Sequence, residues 1–552
     1  MTKRVIIDNY LYSPQISESS RYDVVISYVS SQLPLDAVPA SRPELVNTML
    51  NHVRSNGLLF VYGEPAIVPY YATEIEQCVE AKDFVFKYYI AVRTRLTDRA
   101  RGLKNSHKAL VMYAPRDKFQ IGKIRIPHSF CNACGQNIRD WGGKKHLMHP
   151  QGAALSDVWK DLCVPYDEEL PSEVVDRVAE LCPKETPSIL LIRMPREILS
   201  SPDLLEIPTH REIIDANKVV LGDCIQIMRE MPAGCIDLAF ADPPYNLDKA
   251  YFSYDDSRHD EEYIKWCEEW LQEYQRILSP TGSLFVINLP KWALHHKVFL
   301  DRYLQFQNWI VWDALSEPRG KLMPAHYSIL YYTKHPSKFI FNNERAFQMS
   351  SDFCMRASCI RKRAELNIQD SVPLSDIWWD IPRIKHKKFR DVHPCQLPEK
   401  LMERIIALAS RPGDIVFDAF CGTGTTALVA KRMGRRYLTI DIDKYYVDLT
   451  LNKLELLNRW GTIPRTTTNR EKPLITKKEL QLELLRLAEK LGRLPTEPDV
   501  QSLSKYPLEA YLNTFPTFGK ALRAAKVHGQ LAKVSKDSAL PRPEIMQVGG
   551  KA

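Results

Sequence analysis

Apolar and polar positions alternate between two periods along the chain. From residue 209, "THREIIDANKVVLGDCIQIMREMPAGCIDLAFADPPYN" reads as strand, helix, strand. "EEYIKWCEEWLQEYQRILSPTG" carries apolar residues at helical spacing, and "SLFVINLP" and "SILYYTK" are short apolar strands. Then come "PEKLMERIIALASRPGD" (helix), "IVFDAF" (strand), "CGTGTTALVAKRMG" (turn and helix), "RRYLTIDID" (strand) and a further helix. Strands alternating with helices predict an open, mostly parallel α/β sheet, whose ligands sit beyond the carboxyl ends of the strands.

The first 200 residues repeat this pattern in eroded form. "YDVVISYVSS" parallels "CIDLAFADPP", "GLLFVYGEP" parallels "GSLFVINLP", and "RGLKNSHKALVMY" parallels "RGKLMPAHYSILYY". "SFCNAC" parallels "DFCMRASC", "LSDVW" parallels "LSDIW", and "ELPSEVVDRVAEL" parallels "QLPEKLMERIIAL". The six pairs are collinear, at an offset of about 214 to 227 residues, which predicts an internal duplication. Residues 471–530 differ in character: short helices with a Gly-Arg-x-Pro turn and a Phe-Gly turn. The expected organisation is 1–208, a degenerate copy; 209–470, the intact copy; 471–530, a helical module; and 531–552, a disordered tail.

Composition narrows the class. A chain of 552 residues predicts two to four domains. It holds no apolar run near the length that spans a bilayer, and "MTKRVIIDNYLYS" has no signal-peptide core, so the expectation is a cytoplasmic protein. Twelve cysteines in so long a chain point to thiols or a metal site, not a disulfide framework. A net charge of +8 permits a polyanionic partner.

Two stretches carry candidate chemistry. "VFDAFCGTGTTALVA" (416–430) is a strand, a Gly-x-Gly turn and a helix, and "LTIDID" follows about twenty residues later with an acidic strand end. That spacing suits a carboxylate on the ribose hydroxyls of a nucleoside-containing cofactor. "ADPPY" ends another strand with Asp242, Pro243, Pro244 and Tyr245. A proline pair cannot extend a sheet ladder, so the backbone leaves it stiffly. Asp242 and the Pro243 carbonyl could then accept both hydrogens of one amino group, and Tyr245 could stack on a flat ring. An exocyclic amine of adenine or cytosine fits that set of groups.

Asp-Pro-Pro-Tyr at 242–245, "HPCQLPEKL" at 393–401 and "DAFCGTGTT" at 418–426 resemble the motifs of DNA amino-methyltransferases, in the order of their β group. The resemblance covers 209 to about 460. It implies a Rossmann-like methyltransferase fold, here duplicated, and S-adenosylmethionine as cofactor. It also implies methylation of N6 of adenine or N4 of cytosine in a base flipped out of double-stranded DNA. By position, Asp242, Pro243, Pro244 and Tyr245 form the catalytic set, while Phe420, Gly422, Gly424 and Asp441 line the cofactor site. Gln396 lies near the methionine end, and Asp223, ending "LGD", near the adenine. Cys395 and Leu397 depart from the family's threonine and lysine. Cys421 is expected to pack and not to react. Aspartate at 242 favours adenine. The competing readings are an N4-cytosine enzyme and, from another class, a non-catalytic DNA-binding regulator on the same fold. The resemblance further suggests a restriction-modification or phage-defence role beside a separately encoded endonuclease. It also suggests a monomer whose first copy, with Tyr28 in the place of Asp242, acts as an internal partner.

Basic clusters in "MRASCIRKRAELN" and "RIKHKKFRD" nominate Arg361, Lys362, Arg363, Lys387, Lys388 and Arg390 for phosphate contact. The stretch "LLRLAEKLGRLPTEPDVQ…YLNTFPTFGKALRAAKV" resembles the helical repeat associated with homing endonucleases and implies an accessory DNA-binding module. Finally, "CNACGQNIRDWGGKKHLMHP" offers Cys131, Cys134, His146 and His149 as ligands of one tetrahedral zinc. Cys354 and Cys359, at the matching place in the second copy, could instead converge with the first two cysteines if the halves pack about a pseudo-twofold axis.

Overall fold

Two twisted sheets form from the alternating segments of residues 1–463, which make one compact unit; 464–552 make another. The computed structural model describes residues 6–9, 20–30, 42–78, 83–97, 102–117, 119–138, 146, 148–195, 214–249, 256–314, 322–384, 396–460, 477–515 and 517–525. The expected tail, 531–552, lies outside them. In the first half run β1 (Ile6–Asn9), β2 (Tyr22–Ser30), β3 (Val53–Gly63), β4 (Phe84–Thr94), β5 (His107–Pro115), a ribbon of β6 (Arg125–Ile126) and β7 (Ala153–Ala154), β8 (Val158–Val164) and β9 (Ile189–Pro195). In the second run β10 (Lys218–Leu221), β11 (Ile236–Ala241), β12 (Leu278–Asn288), β13 (Gln305–Asp313), β14 (His326–Thr333), a ribbon of β15 (Phe347–Met349) and β16 (Ser371–Pro373), β17 (Ile377–Trp378), β18 (Ile415–Asp418) and β19 (Arg436–Asp441).

The second sheet has the order β10-β19-β18-β11-β12-β14-β13-β17, and the first has β1-β9-β2-β3-β5-β4-β8. From β9 to β8 and from β18 to β17 the two orders are the same. β14 and β5 run antiparallel to their neighbours, so each sheet is mixed rather than parallel throughout. The register agrees with the sequence offset: Ser27 faces Val61 as Ala241 faces Val286, which puts Tyr28 at the place of Asp242. Asp23 accepts the amide of Ser188 as Asp237 accepts that of Ile415. The difference lies beyond β9: there β1, which precedes the rest of its sheet in the chain, pairs where β19, which follows β18 and carries Asp441, pairs in the second sheet. β13, "QFQNWIVWD", was not singled out by the sequence pattern, because its polar Gln and Asn are buried within the sheet.

The halves meet about a pseudo-twofold axis. Tyr89 of β4 and Trp309 of β13, which hold equivalent positions against β5 and β14, stack on each other with centroids 4.6 Å apart and planes 4° from parallel. Around them the contacts are reciprocal. His107 Nδ1 lies 3.0 Å from Asp376, and His326 Nδ1 lies 3.0 Å from Asp157. The amide of Ser106 donates to Asp376, and that of Ala325 to Asp157. Tyr70 donates to Asp301 as His295 meets Glu76. One hydrophobic cluster runs unbroken through both halves, from Val25 and Tyr113 to Trp270 and Leu330. Among the described residues no helix is long and apolar enough to cross a membrane.

The C-terminal unit comprises helices Lys477–Leu491, Glu497–Leu503, Leu508–Thr514 and Phe518–Ala524 around Leu480, Leu484, Leu487, Val500, Tyr511 and Phe518. Gly492, in the left-handed region at φ +63°, ends the first helix as the Gly-Arg-x-Pro turn predicts. The expected Phe-Gly turn is instead the first turn of the last helix, because the Thr517 side chain accepts the Lys520 amide and caps it.

The stack at the axis is testable. Trp309 is 1 % exposed, and Trp309→Ala is expected to cost about 3–5 kcal/mol in denaturant unfolding. Trp309→Tyr, which keeps an aromatic face against Tyr89, should cost clearly less. Equal losses would show that the stack does not hold the halves together.

Candidate active site

Three adjacent parallel strands, β19, β18 and β11, end on the same edge with Asp441, Asp418 and, one residue past β11, Asp242. The chain leaves β18 towards β19 and leaves β11 towards β12, so the gap between β18 and β11 is a topological switch point. A cleft opens there, lined among others by Asp223, Asp242, Pro243, Pro244, Trp266, Gln396, Phe420, Gly422, Asp441, Ile442 and Tyr446. The structure thus brings together the two sequence motifs, 242–245 and 418–426.

The glycine turn is shaped by its backbone. Gly422 and Gly424 have φ of +51° and +80°, and a Cβ on Gly424 would lie 2.5 Å from Thr450 Oγ1. The turn folds back on the acids: the Gly422 and Asp443 amides donate to Asp441 at 2.7 and 2.9 Å, and the Phe420 amide donates to Asp418 at 2.9 Å. Asp223 accepts the Gln226 amide at 3.0 Å, capping the helix Cys224–Glu230 at the cleft rim. Phe420 packs edge-on against Trp270, and Ile442 is 49 % exposed beside the cleft. Burial pushes the Cys421 thiol up to about 12, so it is a neutral packing group, as expected.

At the other wall, the Tyr245 hydroxyl donates to Asp242 Oδ1 at 2.6 Å. The loop after it is held from below: Tyr263 donates to the Pro244 carbonyl at 2.6 Å, and Trp292 Nε1 donates to the Tyr245 carbonyl at 2.9 Å. The buried Asp256 accepts the amides of Asn246, Leu247 and Lys249. This cradle stabilises Asn246 and Asp248 at φ +56° and +53°, costly for non-glycine residues. Tyr245 is only 3 % exposed and packs beside Tyr327, so the expected open stacking face is covered in this state. Among the described residues, neither Asp242 Oδ2 nor the Pro243 carbonyl receives a donor.

The acids are electrostatically frustrated. Desolvation, reinforced by the Asp418 charge and opposed by the Tyr245 hydroxyl, raises Asp242 to about 7. Desolvation likewise raises Asp418 and Asp441 to about 6 each, the latter also feeling Asp443 and Asp418. A cleft with three such carboxyls favours a cationic ligand. The acids share the cleft with the apolar side chains of Phe420 and Ile442. Asp418 escaped the sequence reading, although it ends its strand as Asp441 does. Trp266, with Arg258 5.0 Å over its ring, and Asp256 carried no local signal, since they reach the site through the fold.

Several sequence candidates fall elsewhere. Arg361 and Lys362 are exposed on the helix Ala357–Glu365. Arg363 is fully buried, its Nε donating to Asp370 at 2.7 Å, so it cannot meet a phosphate. The correction has a simple cause: on a helix, one residue of a basic triplet turns inward. Lys387, Lys388, Arg390 and Cys395 lie outside the described residues. His146 and His149 are exposed and do not join Cys131 and Cys134; Cys354 and Cys359 do. The loop carrying the first pair turns its thiols towards the second half and leaves the histidines in solvent.

The N6/N4 DNA methylase family model ("DNA methylase") matches residues 236–452, and the homing endonuclease associated repeat matches 475–528. The chain is 36 % identical over 235 residues to type II methyltransferase M.BamHI of Bacillus amyloliquefaciens, an alignment that covers 41 % of this chain and 55 % of that one. It is 33 % identical to type II methyltransferase M.HpaI of Haemophilus parainfluenzae, over 43 % of this chain and 74 % of that one. DNA adenine methyltransferase YhdJ of Escherichia coli (strain K12) is 28 % identical, over 45 % of this chain and 85 % of that one. With the cleft, the acidic strand ends and these similarities in agreement, the chain belongs to the N6/N4 DNA methylase family.

Proposed function

We propose that the chain is a site-specific DNA methyltransferase acting on N6 of adenine in a flipped base, within a restriction-modification or phage-defence system. The observation that carries this reading is the placement of Asp242 Oδ2 and the Pro243 carbonyl, which receive no donor among the described residues, at the edge of the acidic cleft. Bound S-adenosylmethionine would supply an electrophilic methyl group, held through Asp441 at the ribose, Phe420 and Ile442 at the purine and Gln396 towards the methionine end. Asp242 and Pro243 would each accept one hydrogen of the target amine. An exocyclic amine is a poor nucleophile because its lone pair is delocalised into the ring. Two acceptors favour the tetrahedral nitrogen and release that pair. Tyr245, by holding Oδ1, aims the remaining carboxylate oxygen at the amine. The adenine reading rests on aspartate at 242, and a relative titled a DNA adenine methyltransferase agrees with it.

The first half acts in this reading as an internal second subunit that binds no S-adenosylmethionine. Tyr28 replaces the catalytic carboxylate and is bound by Arg193, and "PSILLIRMP" replaces the glycine turn. The reciprocal contacts at the axis support it. Arg361, Lys362, Lys387, Lys388 and Arg390 are assigned to DNA phosphates, and the C-terminal unit to accessory DNA contact. The partner endonuclease and a cytoplasmic location belong to the same proposal.

Three outcomes test it. Mass spectrometry of nucleosides from DNA methylated by the protein should show N6-methyladenine, lost in Asp242→Ala with cofactor binding kept; N4-methylcytosine alone would overturn the choice of base. A second test uses pH. In the unfolded chain Asp242 ionises at its ordinary 3.8, but in the folded protein it keeps its proton to about 7. Its contribution to stability is therefore present below pH 4 and is lost as pH rises to 7. Asp242→Asn should stabilise the ligand-free protein at pH 8 by on the order of 1–3 kcal/mol, allowing for solvent screening, and change little at pH 4. Thermal unfolding at the two pH values reads this; equal shifts would refute it. Third, deleting residues 471–552 should weaken DNA binding most at low salt and flatten the dependence of log affinity on log salt, with cofactor affinity kept. An unchanged slope would show that the unit makes no phosphate contacts.

A further inference from the structure

Far from the cleft in sequence, the two halves each bring two cysteines to one point. Cys131, Cys134, Cys354 and Cys359 have all their sulfurs within 4.8 Å of one another, and three of the four residues are buried. No other group of this kind occurs among the described residues. The Cys131–Cys359 and Cys134–Cys354 sulfur separations are both 3.7 Å. These pairs exchange under the pseudo-twofold operation, since Cys131 corresponds to Cys354 and Cys134 to Cys359. A tetrahedral ion with Zn–S bonds of ~2.3 Å requires S···S edges of about 3.8 Å, whereas a disulfide requires about 2.05 Å. These two separations match edges of that tetrahedron.

The surroundings suit thiolates rather than thiols. The Cys354 amide donates to Cys131 Sγ at 3.3 Å, and backbone amides of Ala133 and Cys134 also point to that sulfur. "CNACG" forms a tight turn, closed by the Gly135 amide on the Cys131 carbonyl, with Gly135 at φ +64°. Arg363, fully buried, donates to Cys359 Sγ and to the Cys354 carbonyl, both at 3.1 Å, while Asp370 takes its Nε. A buried guanidinium beside four sulfurs offsets the double negative charge that four thiolates leave around a divalent cation. The frame is set independently of the sulfurs: the Asn132 amide donates to the Asp352 carbonyl at 3.0 Å, and Arg356 donates to the Asn137 carbonyl at 2.7 Å.

We propose that these four cysteines bind one structural zinc ion that clamps the two halves together at their pseudo-twofold axis. With four protein ligands the site is closed and leaves no position for substrate, so its role is separate from the methyl-transfer cleft. Arg363 is its charge-balancing neighbour, which explains why a residue of a basic run is buried.

Elemental analysis of the full-length protein, purified without chelator or metal-affinity resin, tests this directly. About one zinc per chain is expected, falling below about a tenth of that in Cys354→Ser. Cys163→Ser, an exposed cysteine away from the cluster, should keep the ion. Cobalt exchanged into the wild-type protein should give the intense visible bands of a tetrahedral tetrathiolate. The wild-type measurement stands even if a variant fails to fold. Protein free of zinc, with the four thiols either freely titratable or lost as two disulfides, would overturn the proposal, as would zinc retained in Cys354→Ser.

Discussion

Among the described residues of 1–463, the two halves face each other across the stacking of Tyr89 on Trp309. Two equivalent edge regions, β4–β5 and β13–β14, can bury their aromatic residues against each other only if one half is rotated onto the other. That rotation imposes the paired His–Asp contacts, because each histidine begins a strand of one half and each aspartate lies in the other. The same rotation brings two cysteines from each half to one point. A chain with two such halves carries an internal interface that one half alone would have to find in a second molecule. The packing gains are large because the shared core is continuous, not two cores in contact.

The cleft is built against stability. Asp242, Asp418 and Asp441 are brought together at strand ends where solvent is scarce, and all three are pushed above the usual carboxylate range. A fold optimised for stability alone would replace at least one of them. The backbone hydrogen bonds to Asp418 and Asp441 offset part of the cost and fix the shape of the glycine turn. Among the described residues Asp242 has no backbone donor, only the Tyr245 hydroxyl and the Lys249 charge, and it shows the largest displacement of the three. The strained Asn246 and Asp248 follow the same logic, held by Asp256 in a conformation that keeps the two prolines and Tyr245 at the cleft wall. Unfavourable charge and strained backbone concentrated at one strand end mark a site selected for chemistry.

The two halves differ where chemistry would occur and agree where packing occurs. Tyr113 and Tyr332 each donate to a carbonyl of the neighbouring helix and to an acid one turn on, at Ala72 and Glu76 in one half and at Lys297 and Asp301 in the other. At the cleft the correspondence ends: Tyr28 stands for Asp242, and β1, from the start of the chain, pairs where β19 does in the second sheet.

What the sequence by itself determined is local and periodic. Strand and helix order, the glycine turn, the acidic strand ends and the Asp-Pro-Pro-Tyr wall were legible, because each depends on residues near one another, and the collinear sequence pairs anticipated the strand order that the two sheets share. β13 was not, since its polar residues are satisfied only by neighbours from distant segments. Partner choice belonged to the tertiary structure. Spacing alone allowed Cys131 and Cys134 to pair with His146 and His149, but the rotation about the axis gave them Cys354 and Cys359. Composition placed Arg363 among the phosphate contacts, but its position on the helix turned it inward to Asp370 and the sulfurs. Asp256 and Trp266 belong to neither the Asp-Pro-Pro-Tyr nor the glycine motif and reach the cleft because the chain returns there. Sequence fixes which groups are available; the three-dimensional packing decides which of them come within a few ångströms, and contact energies fall off over that distance.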